Sequence, residues 1–318
     1  MPPSRSIPPH ALAATIALWG GAFAAIRAAL EHFGFAELGA LRLLVAAVAL
    51  GIAGAIRGIG LPARRDLLHI TAVAFAGMTA YQLLLNAGER TVPAGTASLL
   101  VNLSPVFTAL AAVAFLHEEM TRLRWTGVAI ACAGASLIAV AGQGGLALEP
   151  GALLVVGAAG VQAAFFVGQK PLLARYGSLQ LTTWAMALGA LMALPFAPGL
   201  PHAVATAPAE PLLAVAFLGL GASGIGFVTW AYACAHMDVS FAASMLYCVV
   251  LVAFATGWLW LGEAPEPITL VGGAIALGGV LLVARSRQPR SPNPRSISSA
   301  RSPTVPGRGS TPSATAAP

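Results

Sequence analysis

Charge is what this chain has least of. Asp, Glu, Lys and Arg make up 9% of its 318 residues, against about 25% in a soluble domain. So few charges cannot cover a water-facing surface, which argues against a soluble fold whatever the length would allow. Cysteine is sparse as well. Cys132, Cys234 and Cys248 all lie in apolar stretches and lack the C-x-x-C spacing of a metal or redox site. They read as small buried hydrophobes rather than a disulfide framework. No Asp or Glu lies well inside an apolar stretch, so the sequence gives no support to a relay through buried carboxylates. A folded basic face is also missing. Much of the net charge of +6 falls in the tail from Arg285, so it marks membrane orientation rather than a nucleic-acid partner. No cofactor is implied.

What is present is hydrophobic: 58% of residues, with a mean hydropathy of +0.81. A bilayer core takes about 20 apolar residues per helix, and such stretches recur at 11–30, 38–57, 67–88, 94–116, 124–141, 151–169, 179–198, 211–233, 239–261 and 267–284. In lipid each segment must satisfy its own backbone, so these are helices. The runs are too long and too evenly apolar for barrel strands. The first contains the small-x-small triplet Ala22, Phe23, Ala24, but it follows a single Arg and precedes nine more stretches, so it reads as a span and not a signal peptide. The tail 285–318 is rich in Ser, Pro and Arg and reads as disordered.

Lys and Arg set the orientation. With the N-terminus inside the cell, Arg5, Arg57, Arg64, Arg65, Arg122, Arg124, Lys170, Arg175 and the basic tail share one side. Arg27 and Arg90 are left on the other. Both termini are therefore expected in the cytoplasm of a multi-pass protein of the cell (inner) membrane.

Two segments match at an offset of 145. Ala97 pairs with Ala242, Leu116 with Leu261, Glu118 with Glu263, Gly127 with Gly272 and Gly134 with Gly279. Five helices per copy is an odd number, so the second copy enters the membrane from the opposite face. The expected fold is all-α and membrane-embedded, with ten helices in two inverted five-helix repeats at 11–141 and 151–284. A cytoplasmic segment 1–10 precedes them and the tail 285–318 follows. That architecture suits secondary transport, with a small-molecule substrate bound near the midplane.

Residues 93–100 (PAGTASLL) and 103–107 (LSPVF), Trp19-Gly20 with Phe23, Arg42, and residues 261–263 (LGE) together resemble the EamA-type drug/metabolite transporter superfamily. The resemblance covers residues 10 to 285. Two positions depart from the pattern: Val250 stands where the second copy of Pro105 is expected, and His117 where a Gly precedes Glu118. The resemblance implies ten helices in two repeats and the movement, by export or uptake, of small metabolites, with export the commoner direction. A homodimer is an admissible assembly.

The candidate substrate residues are Trp19, Arg42, Tyr81, Asn102, Gln162, Trp230 and Tyr247. An intramembrane charge such as Arg42 is costly and marks a site unless it snorkels to the surface near Glu37; both readings stand. Asn102 and Gln162 are the amides nearest mid-span, where helix bridging is the alternative. Aromatic walls suit apolar or amphipathic ligands, with simple packing as the bland reading. Trp184 is a further candidate aromatic. Pro105 removes a helix hydrogen bond and is a candidate hinge or a static kink. The small-residue stripes 127/131/135 and 160/164/168 would let helices approach closely. Glu118 and Glu263 read as helix-end contacts.

A channel or structural membrane protein is the broad alternative, although no filter loop or charged ring is visible. An intramembrane protease is the other, from the Gly-x-Ser-Gly run at 221–224. His236, the only His after Ser223, lies beyond the end of the same helix, where it cannot act as the base.

Overall fold

A computed structural model describes residues 9–116, 121–141, 149–236 and 246–285, and among them every regular element is a helix. The first is α1 (Pro9–Leu30), followed by α2 (Phe35–Ile56). A 3-10 turn (Arg64–Asp66) leads into α3 at 67–88, which contains a π-turn (Phe75–Ala80). Next come α4 (Ala94–Val101), α5 (Ser104–Leu116), α6 (Arg122–Ala141), α7 (Pro150–Leu173) and α8 (Ser178–Ala193). A short α9 (Leu200–Thr206) precedes α10 at 209–236, which holds a second π-turn (Phe217–Ile225). The last two are α11 (Tyr247–Leu261) and α12 (Pro267–Arg285).

Six of these helices are long and apolar enough to cross a membrane, and three shorter apolar helices lie within α6, α11 and α12. Their outward faces stay apolar: Val48, Ile52 and Ile56 on α2 and Leu251, Trp258 and Leu259 on α11 are exposed. Leaving a large aliphatic side chain in water instead of an apolar phase costs about 1.5–3 kcal/mol, so a belt of them fits lipid. This is a multi-pass membrane protein.

The stretch expected as one span at 94–116 is two helices, α4 and α5, broken at Asn102 and Leu103. Pro105 is the physical reason, because it has no N–H for the Val101 carbonyl four residues back. The hydroxyl of Ser104 donates to that carbonyl at 2.8 Å instead. α9 was not foreseen in the sequence. Residues 1–8 and 286–318, Glu118 and the stretch 239–245 of the ninth expected span lie outside the described residues.

The tightest helix pair is α6 with α12, and its contacts are reciprocal. A Cβ added at Gly127 would stand 2.9 Å from the Gly279 carbonyl oxygen, and one at Gly272 would stand 3.0 Å from that of Gly134. From the other side, a Cβ at Gly279 would stand 2.6 Å from the Gly127 oxygen, and one at Gly134 would stand 2.6 Å from that of Gly272. The order 127–279 and 134–272 makes the helices antiparallel. Matched residues exchange places across the pair, as a two-fold axis perpendicular to both helices requires. The other stripe behaves differently: Gly160 faces open space and Ala164 is exposed, and only Gly168 closes on a neighbour, Val73.

α2 packs along α8, α3 against α7, and α10 against α1. α3 and α10 both carry a π-turn, starting at Phe75 and Phe217. A π-turn inserts one residue and turns the following face by about 100°. Tyr81 begins the helix after the first π-turn, and Ser223 lies inside the second.

Candidate functional site

Arg42 enters from the buried face of α2 and is 3% exposed. Its Nε donates to the Ser223 hydroxyl of α10 at 3.1 Å, while its Nη1 is buried with no hydrogen-bond partner. Arg42 is therefore held between helices, not turned out toward Glu37. Tyr81 and Glu89 lie within its electrostatic reach. Tyr81 in turn lies near the Gln162 side chain of α7. Gln162 Oε1 accepts from the Ser104 hydroxyl of α5 at 2.6 Å. Two buried hydrogen-bonded pairs thus link separate helices, Arg42 with Ser223 between α2 and α10 and Gln162 with Ser104 between α7 and α5, with Tyr81 of α3 near both.

Aromatic rings stand beside α10. Trp19 of α1 lies 5.1 Å from Phe227 and 5.5 Å from Trp230, centroid to centroid, and Phe166 of α7 lies 5.0 Å from Trp230. Trp19 Nε1 donates to the Ala222 carbonyl at 3.1 Å, one residue from Ser223. Trp230 is fully buried and its Nε1 has no partner. Arg42 and Trp19 therefore bond adjacent residues of the same π-turn, Ser223 and Ala222, and Trp19 in turn packs on Phe227 and Trp230. That arrangement suits a ligand with an anionic group and an apolar body.

The other expected residues are placed apart from these pairs. Asn102 donates to Ser98 of its own helix at 2.8 Å, tying the break between α4 and α5. Tyr247, at the start of α11, is half-buried, and its hydroxyl is buried without a partner. Trp184 donates to the Gly60 carbonyl at one end of the molecule. Ser104 and Ser223 were not singled out as ligand contacts in the sequence, because a lone Ser in a helix carries no signal that separates a network hydroxyl from a helix-bonded one.

The two ends differ. At one, Arg27 of α1 donates from Nε to Glu263 at 2.9 Å and from Nη1 to the carbonyls of Glu89 and Arg90 at 2.6 and 3.1 Å. The second oxygen of Glu263 accepts from the Ala94 N–H at 2.8 Å, so a carboxylate sits on the positive N-terminus of α4. Glu89 itself is fully buried. At the other end, Asp66 accepts from the Tyr176 hydroxyl at 2.7 Å and pairs with Arg175. A cavity of about 560 Å³ opens there between the ends of α2, α7 and α10, lined by Arg57, Tyr176, Gln180, Thr229 and Tyr232 among others.

Comparison with known proteins agrees in kind. The family model of the EamA-like transporter family matches twice, over residues 10–140 and 149–285. A probable terminal-alkyne amino-acid exporter of Streptantibioticus cattleyicolor is 44% identical over 94% of this chain and 97% of its own length. An uncharacterized transporter of Bacillus subtilis is 34% identical over 83% of this chain and 87% of its own. A pseudopaline exporter of Pseudomonas aeruginosa is 25% identical over 62% and 68%. One protein of known crystal structure shares the fold, with a TM-score of 0.59 at 19% identity, covering 86% of this chain and 94% of that one.

Proposed function

Since the chain belongs to the EamA-like transporter family, we propose that it is a secondary exporter of small amino acids with apolar side chains. The observation that carries this is the Arg42 Nη1, a buried charged donor without a partner, on a side chain that bonds the same π-turn of α10 as Trp19 does. A guanidinium binds a carboxylate with charge-assisted hydrogen bonds. The rings of Trp19, Trp230 and Phe166 would cover the apolar side chain. The 44% identity to a probable exporter of terminal-alkyne amino acids supports the same substrate class.

Transport proceeds by alternating access between two inverted five-helix halves. The reciprocal glycine contacts of α6 with α12 and the matched π-turns of α3 and α10 support that inversion. The cavity lined by Arg57 and Tyr176 is the cytoplasmic entrance. Both termini lie in the cytoplasm of a cell-membrane protein, so a reporter fused at residue 290 that works only outside the cell is inactive. Activity there would refute the orientation.

The deciding experiment is flux from proteoliposomes loaded with labelled propargylglycine, leucine or phenylalanine, with a hexose as control. The expected result is saturable efflux and counterflow of the amino acids, strongly reduced by Arg42→Gln. Non-saturating conductance would favour a channel. Saturable flux of the hexose alone would overturn the substrate class.

A further inference from the structure

Glu89 has the most unusual surroundings of any carboxylate among the described residues. It follows the last turn of α3 and is fully buried, and neither of its carboxylate oxygens has a hydrogen-bond partner. Such a group is expensive to keep charged, and a buried ionised carboxylate is normally paired. Neither neighbouring cation bonds it. Arg27 bonds the backbone of the same connector and the Glu263 side chain, and Arg42 bonds Ser223 through Nε while its Nη1 stays unpaired.

The charged and titratable groups facing Glu89 are Arg27 from α1, Arg42 from α2, Tyr81 from α3 and Glu263 from the end of α11. α7 meets this corner through Gly151 and Val155, which touch Gly88. Burial pushes the Glu89 carboxyl well above the usual range, Arg27 and Arg42 oppose that, and Glu263 adds to it. The backbone carbonyl of Glu89 accepts from Arg27, so the residue adjoins the Arg27–Glu263 knot, with Arg42 within electrostatic reach.

We propose that Glu89 binds either a proton or the ammonium group of a substrate whose carboxylate is held by Arg42, and never both, which couples export to proton entry. The proposal rests on the amino-acid reading above. A zwitterion brings one group for each partner, the carboxylate for the free Nη1 of Arg42 and the ammonium for the free oxygens of Glu89. Either a proton or an ammonium cancels the buried charge, and a protonated carboxyl no longer attracts a cation. With the site open to the outside, a proton from water joins a Glu89 oxygen as the ammonium leaves. With the site open to the cytoplasm, the ammonium of the next substrate arrives and that proton departs to cytoplasmic water. One proton enters for each zwitterion exported.

Two measurements test this on the full-length protein in lipid nanodiscs. The first needs no substrate: dicyclohexylcarbodiimide, which attacks protonated carboxyls in apolar surroundings, is followed by mass spectrometry. Labelling of Glu89 that fades as pH is raised is the expected result, and absence of labelling at acid pH overturns the proton site. The second is propargylglycine binding across pH. In the wild type the dissociation constant should rise about tenfold per pH unit on acidification below the Glu89 pKa. Glu89→Gln should bind more weakly with no such slope, and Glu89→Asp should keep the slope at a shifted midpoint. A Glu89→Gln protein that retains the wild-type slope overturns the coupling. A wild type that binds no apolar amino acid at any pH refutes the substrate reading instead, while the labelling still decides whether Glu89 takes a proton.

Discussion

Arg42 of α2 and Ser223 of α10 are joined by a 3.1 Å hydrogen bond, and this bond uses only one edge of the guanidinium. Ser223 lies in a π-turn of α10, within the second of the two stretches that the family model matches, and Arg42 lies within the first. The bond is thus a direct polar link between those stretches, and it leaves Nη1 unpaired.

Arg42→Lys keeps the charge but loses the planar fork. A hydrogen bond to a charged group is worth about 1.5–3 kcal/mol. The apparent affinity for a transported amino acid should therefore fall roughly 10- to 100-fold. Counterflow titrations in proteoliposomes would measure it, and an unchanged affinity would remove Arg42 from the site.

Ser104→Ala removes one hydroxyl with two duties. It removes the single proton that the Val101 carbonyl oxygen and Gln162 Oε1 share between them. Leaving a buried acceptor unpaired costs about 1–3 kcal/mol. The melting temperature of the purified protein should drop by several degrees. Ser104→Thr retains the hydroxyl and should keep most of the stability; equal losses in both variants would mean that bulk, not hydrogen bonding, decides this position.

Gly134→Val and Gly279→Val should be similarly harmful, because each side chain would be driven into the backbone of the opposing helix. Overpacking costs about 1–3 kcal/mol, and more where backbone must move. Gly278→Ala on the same helix meets nothing within 4 Å and should leave the melting temperature unchanged or slightly raised. Thermal melts of the three variants, side by side, decide whether matched contacts carry matched loads.

Asp66 is the pH-dependent element at the end opposite Glu89. The hydroxyl of Tyr176 and the Arg175 guanidinium hold its carboxyl below the usual carboxylate range, with burial opposing them. Its contribution to stability is therefore complete above the ordinary carboxylate pKa of about 4 and is lost as pH falls through its lower folded value. Asp66→Asn should melt at a lower temperature than the wild type at pH 7, with the gap closing below pH 4. A gap that persists in acid would show that shape rather than charge holds Asp66 in place.

The amino-acid sequence by itself determined the solvent, the helices and the family. Long apolar runs with almost no charge can satisfy their backbones only as helices in lipid, and that follows from composition and order alone. The glycines at 127, 134, 272 and 279 were legible as a repeat, since spacing is a property of the string. Pro105 was legible as a helix disturbance for the same reason, although the break it causes falls earlier, at Asn102 and Leu103. Only the tertiary structure decided which polar groups meet. Arg42 could as well have snorkelled toward Glu37. Glu89 stands just past the third apolar stretch, and only the fold buries it. Asn102, as promising in the sequence as Gln162, spent its donor on its own helix. A side chain's partners depend on the rotation of each helix about its axis. Two π-turns set that rotation here by shifting the register by one residue, and no periodicity in the sequence announces them.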